Sequence, residues 1–188
     1  MSKRIAICGG IGSGKSTVSQ ILRGLGAKVV VADEINAQLL QEPSYIDVIR
    51  NYFPACVHNN VINKKELAAL VFQNEESREL LMRLAHPILF ERMAEEAKGN
   101  DVVFFEIPLL SKCNLTFDSI WFVAAAYQDR IRAIVKRDDV SEERAKRVIS
   151  LQSDEENLRA KADIVIQNRF DFEELKAQVK TLYCSILD

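Results

Sequence analysis

The run Gly9-Gly10-Ile11-Gly12-Ser13-Gly14-Lys15-Ser16 constrains this chain more than any other feature. Its spacing is G-x-x-x-x-G-K-[ST]. It follows the apolar stretch Arg4 to Cys8 and opens the amphipathic stretch Ser16 to Leu25, which Gly26 stops. Strand, glycine loop and helix in that order build an anion cradle. Glycines let successive backbone N–H groups turn inward without a Cβ in the way, and the helix N-terminus adds partial positive charge. In such a cradle Gly10, Ile11, Gly12, Ser13, Gly14, Lys15, Ser16 and Thr17 are the candidate nucleotide-binding residues. The Lys15 ammonium is placed to reach the β- and γ-phosphates of a nucleoside triphosphate such as ATP, and the Ser16 hydroxyl to bind Mg²⁺.

The rest of the chain extends that beginning. Lys28 to Ala32, Val102 to Phe105, Ile120 to Ala125 and Ile164 to Ile166 read as further strands. Helical periodicity dominates Ser44 to Lys98, for example at Ile46, Ile49 and Phe53, and returns at Arg130 to Arg137, Glu142 to Leu151 and Phe172 to Ile186. Alternation of this kind predicts a parallel sheet covered on both faces. With 188 residues, 48% of them apolar, one core suffices, and the extra helices read as insertions into a single fold.

Charge excludes some partners. A formal net charge of -2, with charged residues at 28% and both signs interspersed, suggests neither a nucleic-acid nor a membrane surface. Cys8, Cys56, Cys113 and Cys184 are too scattered for a disulfide frame or zinc site, and the apolar run Ile120 to Tyr127 is too short to span a bilayer. A monomer in the cytoplasm is the expectation. A regulatory GTPase needs D-x-x-G, which occurs nowhere, and N-K-x-D. Asn63-Lys64-Lys65-Glu66 lacks the final Asp and reads as a helix start. A small-molecule kinase remains, with a nucleotide-binding regulatory protein as the reading from a different class.

Two carboxylates are predicted at strand ends, where ligands bind in parallel sheets. Asp33 is a candidate base for an acceptor hydroxyl, or alternatively the cap of a helix beginning at Glu34. Glu106 could hold Mg²⁺ through water, or be an exposed strand end.

Further fragments join the loop in a recognisable order: Ala32-Asp33, His86-Pro87, Ile107-Pro108-Leu109-Leu110, Arg137-Asp138 with Ser141-Glu142-Glu143, Gln152, and Ala162-Asp163 with Ile166 and Asn168. Together they resemble the dephospho-coenzyme A kinases over nearly the whole chain. The resemblance implies an α/β fold of the P-loop NTPase type. Three layers would surround a five-stranded parallel sheet, with a helical substrate-binding insertion and a helical lid. It implies a core of about 1–40, 100–137 and 155–188, a CoA-binding part of about 41–99, and a lid of about 138–154. The implied reaction is ATP-dependent phosphorylation of the ribose 3′-hydroxyl of dephospho-CoA, the last step of coenzyme A synthesis. Asp33 would be the catalytic carboxylate, and Arg137 would come down with the lid onto the phosphates, beside Lys15. Without the resemblance Arg137 reads equally as a solvated arginine at a helix end. His86 beside Pro87 reads as acceptor contact or packed turn. Gln152 and Asn168 would lie near the adenine or lid, or else be surface amides. The chain departs from the family pattern at Val31, Ala37, Lys112 and Val148, with Arg147 one position before the last. The departures bear on recognition of the acceptor. Another nucleotide or metabolite kinase is the alternative of the same class.

Overall fold

Consecutive apolar residues give strands buried on both faces, and consecutive burial is what the strand segments show. Ile5, Ala6, Ile7 and Cys8 are all fully buried, as are Val103, Phe104 and Phe105. The computed structural model describes residues 2–108, 110, 113–151 and 155–187. Strands β1 (Lys3–Cys8), β2 (Lys28–Val31), β5 (Val102–Glu106), β6 (Ser119–Ala125) and β7 (Ile164–Asn168) form a parallel five-stranded sheet in the order β2-β5-β1-β6-β7. The central strand is β1, which pairs in parallel with β5 on one side and β6 on the other. The chain leaves that strand directly into the glycine loop.

Two compact units divide the chain: Met1–Val30 with Ala97–Asp188, and Val31–Glu96. In the first, helices α1 (Lys15–Gly24) and α9 (Phe172–Leu187) contact each other and α1 reaches β5. Val18 and Leu22 of α1 and Val179 of α9 are fully buried, and Trp121 meets Phe104 edge-on at 5.1 Å. Helices α6 (Tyr127–Asp138), α7 (Glu142–Ser150) and α8 (Glu155–Ala160) connect β6 to β7. Ile131 and Ile134 of α6 pack with Ala145 and Ile149 of α7, and Ile11 from the glycine loop lies against this cluster.

The second unit is helical, with α2 (Ala32–Leu39), α3 (Pro43–Tyr52), α4 (Lys64–Gln73) and α5 (Glu75–Glu96). It also holds a small hairpin of β3 (Val57–His58) and β4 (Val61–Ile62) that the sequence reading does not anticipate. Asn59 and Asn60 turn it, with φ of 50° and 60°, the left-handed pair that a two-residue hairpin demands. Asn63 caps α4 by accepting from the N–H groups of Lys65 and Glu66, which confirms the helix start and removes the guanine-reading alternative. His86 and Pro87 lie inside α5 rather than in a turn, and the His86 ring packs 5.3 Å from that of Phe90.

Candidate active site

The loop between β1 and α1 is held in shape by glycine geometry. Gly12 and Gly14 have φ of 76° and 95°, in the left-handed region where a side chain is strained. Gly14 is the N-cap of α1 and receives the N–H groups of Thr17 at 3.0 Å and Val18 at 3.1 Å. The first turn of α1 contains no acidic residue, so the helix end stays electropositive.

Lys15 crosses the mouth of this loop. Its ammonium donates to the carbonyls of Gly9 at 2.9 Å and Gly10 at 3.0 Å. Its charge is felt at the end of β1. Burial pushes the Cys8 thiol up to about 11, and the nearby Lys15 charge pulls it back only in part. Ser16 is exposed at the start of α1, as a hydroxyl needed by a ligand must be.

Glu106 closes β5. It pairs in register with Ile7, two residues before the loop begins, and is only 8% exposed. The exposed-strand-end alternative for it is therefore wrong. Arg137 ends α6 on an exposed face, and its Nε and Nη2 donate to the two carboxylate oxygens of Asp138 at 2.7 and 2.8 Å. Asp33 belongs to the second unit. The strand before it stops at Val31, α2 begins at Ala32, and Asp33 is an exposed member of the first helical turn. It is neither a strand-end residue nor the cap of a helix starting at Glu34, because the N-cap is Val31.

Asn168 is a buried amide, not a surface one. Its Nδ2 donates to the Ser13 carbonyl at 2.8 Å, and its Oδ1 accepts from the Phe170 N–H at 2.8 Å. The amide also fills the space that a side chain on Gly14 would need. Arg130 was not singled out from sequence. It is 5% exposed and donates from Nε to the Ile11 carbonyl at 2.9 Å and from Nη1 to both oxygens of Glu155. A sequence signal did exist: Arg130 stands four residues before the buried Ile134, a charge on the apolar stripe of its helix. Gln152, Lys112, Leu109 and the last residues of the expected lid, 152–154, lie outside the described residues. Val31 and Val148 are half-buried, whereas Ala37 and Arg147 are exposed.

Among the described residues no group of three or more His, Cys, Asp or Glu side chains could hold a metal. Ser16, exposed at the start of α1, and Glu106, at the end of β5, are oxygen donors that could contribute one or two ligands to Mg²⁺, an ion that keeps water and substrate phosphates as the others.

A parallel sheet whose central strand runs into a glycine loop, a lysine over that loop and a helix N-terminus behind it define a P-loop nucleotide-binding protein. The comparisons specify which. The family model described as Dephospho-CoA kinase matches residues 3–174. A dephospho-CoA kinase of Fusobacterium nucleatum is 35% identical over 182 residues, covering 94% of each chain. Among solved structures, TT1252 from Thermus thermophilus superposes with a TM-score of 0.85 at 30% identity, covering 98% of this chain and 97% of that one. The dephospho-CoA kinase from Campylobacter jejuni gives a TM-score of 0.66 at 25% identity with the same coverage. The chain belongs to the dephospho-CoA kinase family.

Proposed function

We propose that this protein transfers the γ-phosphoryl group of ATP to the ribose 3′-hydroxyl of dephospho-CoA, giving coenzyme A and ADP. The observation that carries the reading is the Lys15 ammonium lying across the Gly9 and Gly10 carbonyls of an intact phosphate loop, in a chain matching the family over residues 3–174.

The loop residues Gly10 to Thr17 bind the triphosphate through inward N–H groups at the start of α1. Lys15 exchanges its two carbonyl partners for the β- and γ-phosphates, which fit a point charge with three donors. Ser16 would hold Mg²⁺ directly and Glu106 would hold it through water; the ion would supply charge neutralisation to the transferring phosphates. Asp33 orients the acceptor hydroxyl and takes its proton. An ordinary aspartate is a weak base, but in a largely dissociative transfer the proton leaves late, so orientation matters more than basicity. Arg137 leaves Asp138 and donates to the equatorial oxygens of the transferring group, where a planar fork matches spreading negative charge.

Residues of about 41–99 receive the acceptor, and residues of about 138–154 form a lid whose closure would exclude water and complete the donor set. A cytoplasmic monomer is the working state. Among the described residues no helix is long and apolar enough to cross a membrane.

The experiment follows ADP formation with ATP and Mg²⁺, offering dephospho-CoA beside AMP, GMP, CMP, nucleosides and shikimate, with Asp33→Asn as control. Turnover with dephospho-CoA alone, lost in the variant, is the expected result. Turnover with a different acceptor and silence with dephospho-CoA would keep the kinase and reject the substrate.

A further inference from the structure

Arg130 braces the phosphate loop from outside. Two of its three guanidinium nitrogens are engaged, Nε with the Ile11 carbonyl at 2.9 Å and Nη1 with both Glu155 oxygens at 2.9 and 2.8 Å. The third, Nη2, is buried and has no hydrogen-bond partner among the described residues. Leaving a buried donor unmet is unfavourable, so the arrangement needs a compensating role.

That third nitrogen lies against Gly10. A side chain there would begin 2.6 Å from Cζ of Arg130 and closer still to Nη2. A side chain on Gly12 would begin 2.8 Å from the Arg130 carbonyl oxygen. Gly10 occupies a motif position that accepts any residue. In this chain it is tied to glycine by the Arg130 guanidinium together with the Glu155 carboxylate that pairs with it. The backbone has no cis peptide bond. In a trans peptide the carbonyl and the next N–H point in opposite directions, so holding the Ile11 carbonyl outward aims the Gly12 N–H into the cradle. Asn168 does the same for the next peptide but one, through the Ser13 carbonyl and the Gly14 N–H.

We infer that Arg130 is a positioning residue for the nucleotide phosphates. With Glu155 as its counter-charge it fixes the Ile11–Gly12 peptide with its N–H turned inward, and Gly10 is glycine to admit it. The inference rests on the loop being the ATP site and goes beyond the motif, which contains neither Arg130 nor Glu155.

The test measures ATP affinity by calorimetry, KM for each substrate, and the melting temperature without nucleotide, for Arg130→Ala, Gly10→Ala and the double variant. Glu155 has a side chain 29% exposed, so water can take over its solvation when Arg130 is removed. Arg130→Ala should weaken ATP binding and raise the KM for ATP by about 10-fold or more, with the acceptor KM moving less than about 2-fold. Gly10→Ala should weaken ATP binding comparably alone, yet add little in the Arg130→Ala background, because the guanidinium has gone and Glu155, which also lies against Gly10, is no longer held there by it and can swing into solvent. Arg130→Lys should restore part of the affinity and covers the case in which Arg130→Ala does not fold.

ATP affinity within 2-fold of the wild type in Arg130→Ala would overturn the inference. So would losses in the two single variants that multiply in the double variant. Failure of the wild type to bind ATP is a different result: it sinks the phosphate-loop reading and this inference with it.

Discussion

Arg137 and Asp138, neighbours in sequence, are locked together side by side, with Nε on Oδ1 at 2.7 Å and Nη2 on Oδ2 at 2.8 Å. The guanidinium proposed to act on phosphate oxygens therefore rests on a carboxylate of similar shape. Both side chains are well exposed, and such pairs contribute only about 0.2 to 1 kcal/mol. A pair this exposed and this weak leaves Asp138 open to displacement by a triphosphate. Arg137→Ala is expected to lower kcat about 100-fold. Asp138→Asn is expected to lower the KM for ATP by about 1.4- to 5-fold, the range that such a pair energy spans. The hydrogen bond from Arg137 holds the Asp138 carboxyl below the usual carboxylate range, so the pair persists and contributes no step to the KM for ATP between pH 5 and 9. Steady-state kinetics of both variants decide this. A higher KM for ATP in Asp138→Asn would contradict the competition.

Lys15 makes a sharper prediction, because its ammonium donates to two backbone carbonyls of the loop itself. Lys15→Ala removes a charge from the loop mouth while leaving Gly9 and Gly10 free to bind water. The fold should survive, with melting within about 3 °C of wild type, and turnover should fall by at least about 1000-fold. Circular dichroism melting alongside ADP release separates the two effects. Residual activity near the wild-type level would remove Lys15 from the mechanism.

The parts of this site legible in sequence are those whose chemistry is local. Gly9 to Ser16 announce themselves through spacing, and β1, β5 and β6 through unbroken apolar runs that only a sheet covered on both faces can bury. Family resemblance supplied the role of Arg137 and the acceptor, neither of which follows from periodicity, whereas Asp33 is picked out by the predicted strand end before it. What sequence reading missed depends on distant pairing. Asn168 meets a carbonyl 155 residues away, and Arg130 meets one 119 residues away. Such contacts leave no trace in local pattern beyond a polar residue on a buried face. The β3–β4 hairpin escaped for another reason: two residues per strand are too few to show alternation, and only Asn59-Asn60 hints at the turn.

Asn168 supports a prediction about stability. Its side chain satisfies the Ser13 carbonyl and the Phe170 N–H, and the residue is 5% exposed. Asn168→Ala would strand both backbone groups away from water, at a cost of about 1 to 3 kcal/mol. For a chain of this size that corresponds to a melting point lower by roughly 3 to 9 °C. Because the amide also fixes the Ser13–Gly14 peptide, added ATP should raise the melting temperature less than it does in the wild type. An unchanged melting temperature would show that water replaces the amide fully.

Cys8 contributes to the loss of stability at alkaline pH. It is fully buried at the end of β1, and burial pushes its thiol up to about 11 despite the attraction of the Lys15 charge. The folded state therefore holds this proton more tightly than the unfolded chain does. The associated stability is complete below the unfolded thiol's pKa and is lost as pH rises towards 11, where the buried group ionises. Two pH units of difference amount to about 3 kcal/mol, a substantial part of a typical folding free energy. Denaturant titrations should accordingly show stability falling between about pH 9 and pH 11. Cys8→Ser would pair poorly in this apolar position, so Cys8→Ala is the control: it should be less stable at neutral pH yet show a shallower alkaline decline. At pH 7 the same burial keeps the thiol protonated, so Ellman's reagent should label Cys184 on its exposed helix face while leaving Cys8 untouched until the protein is denatured.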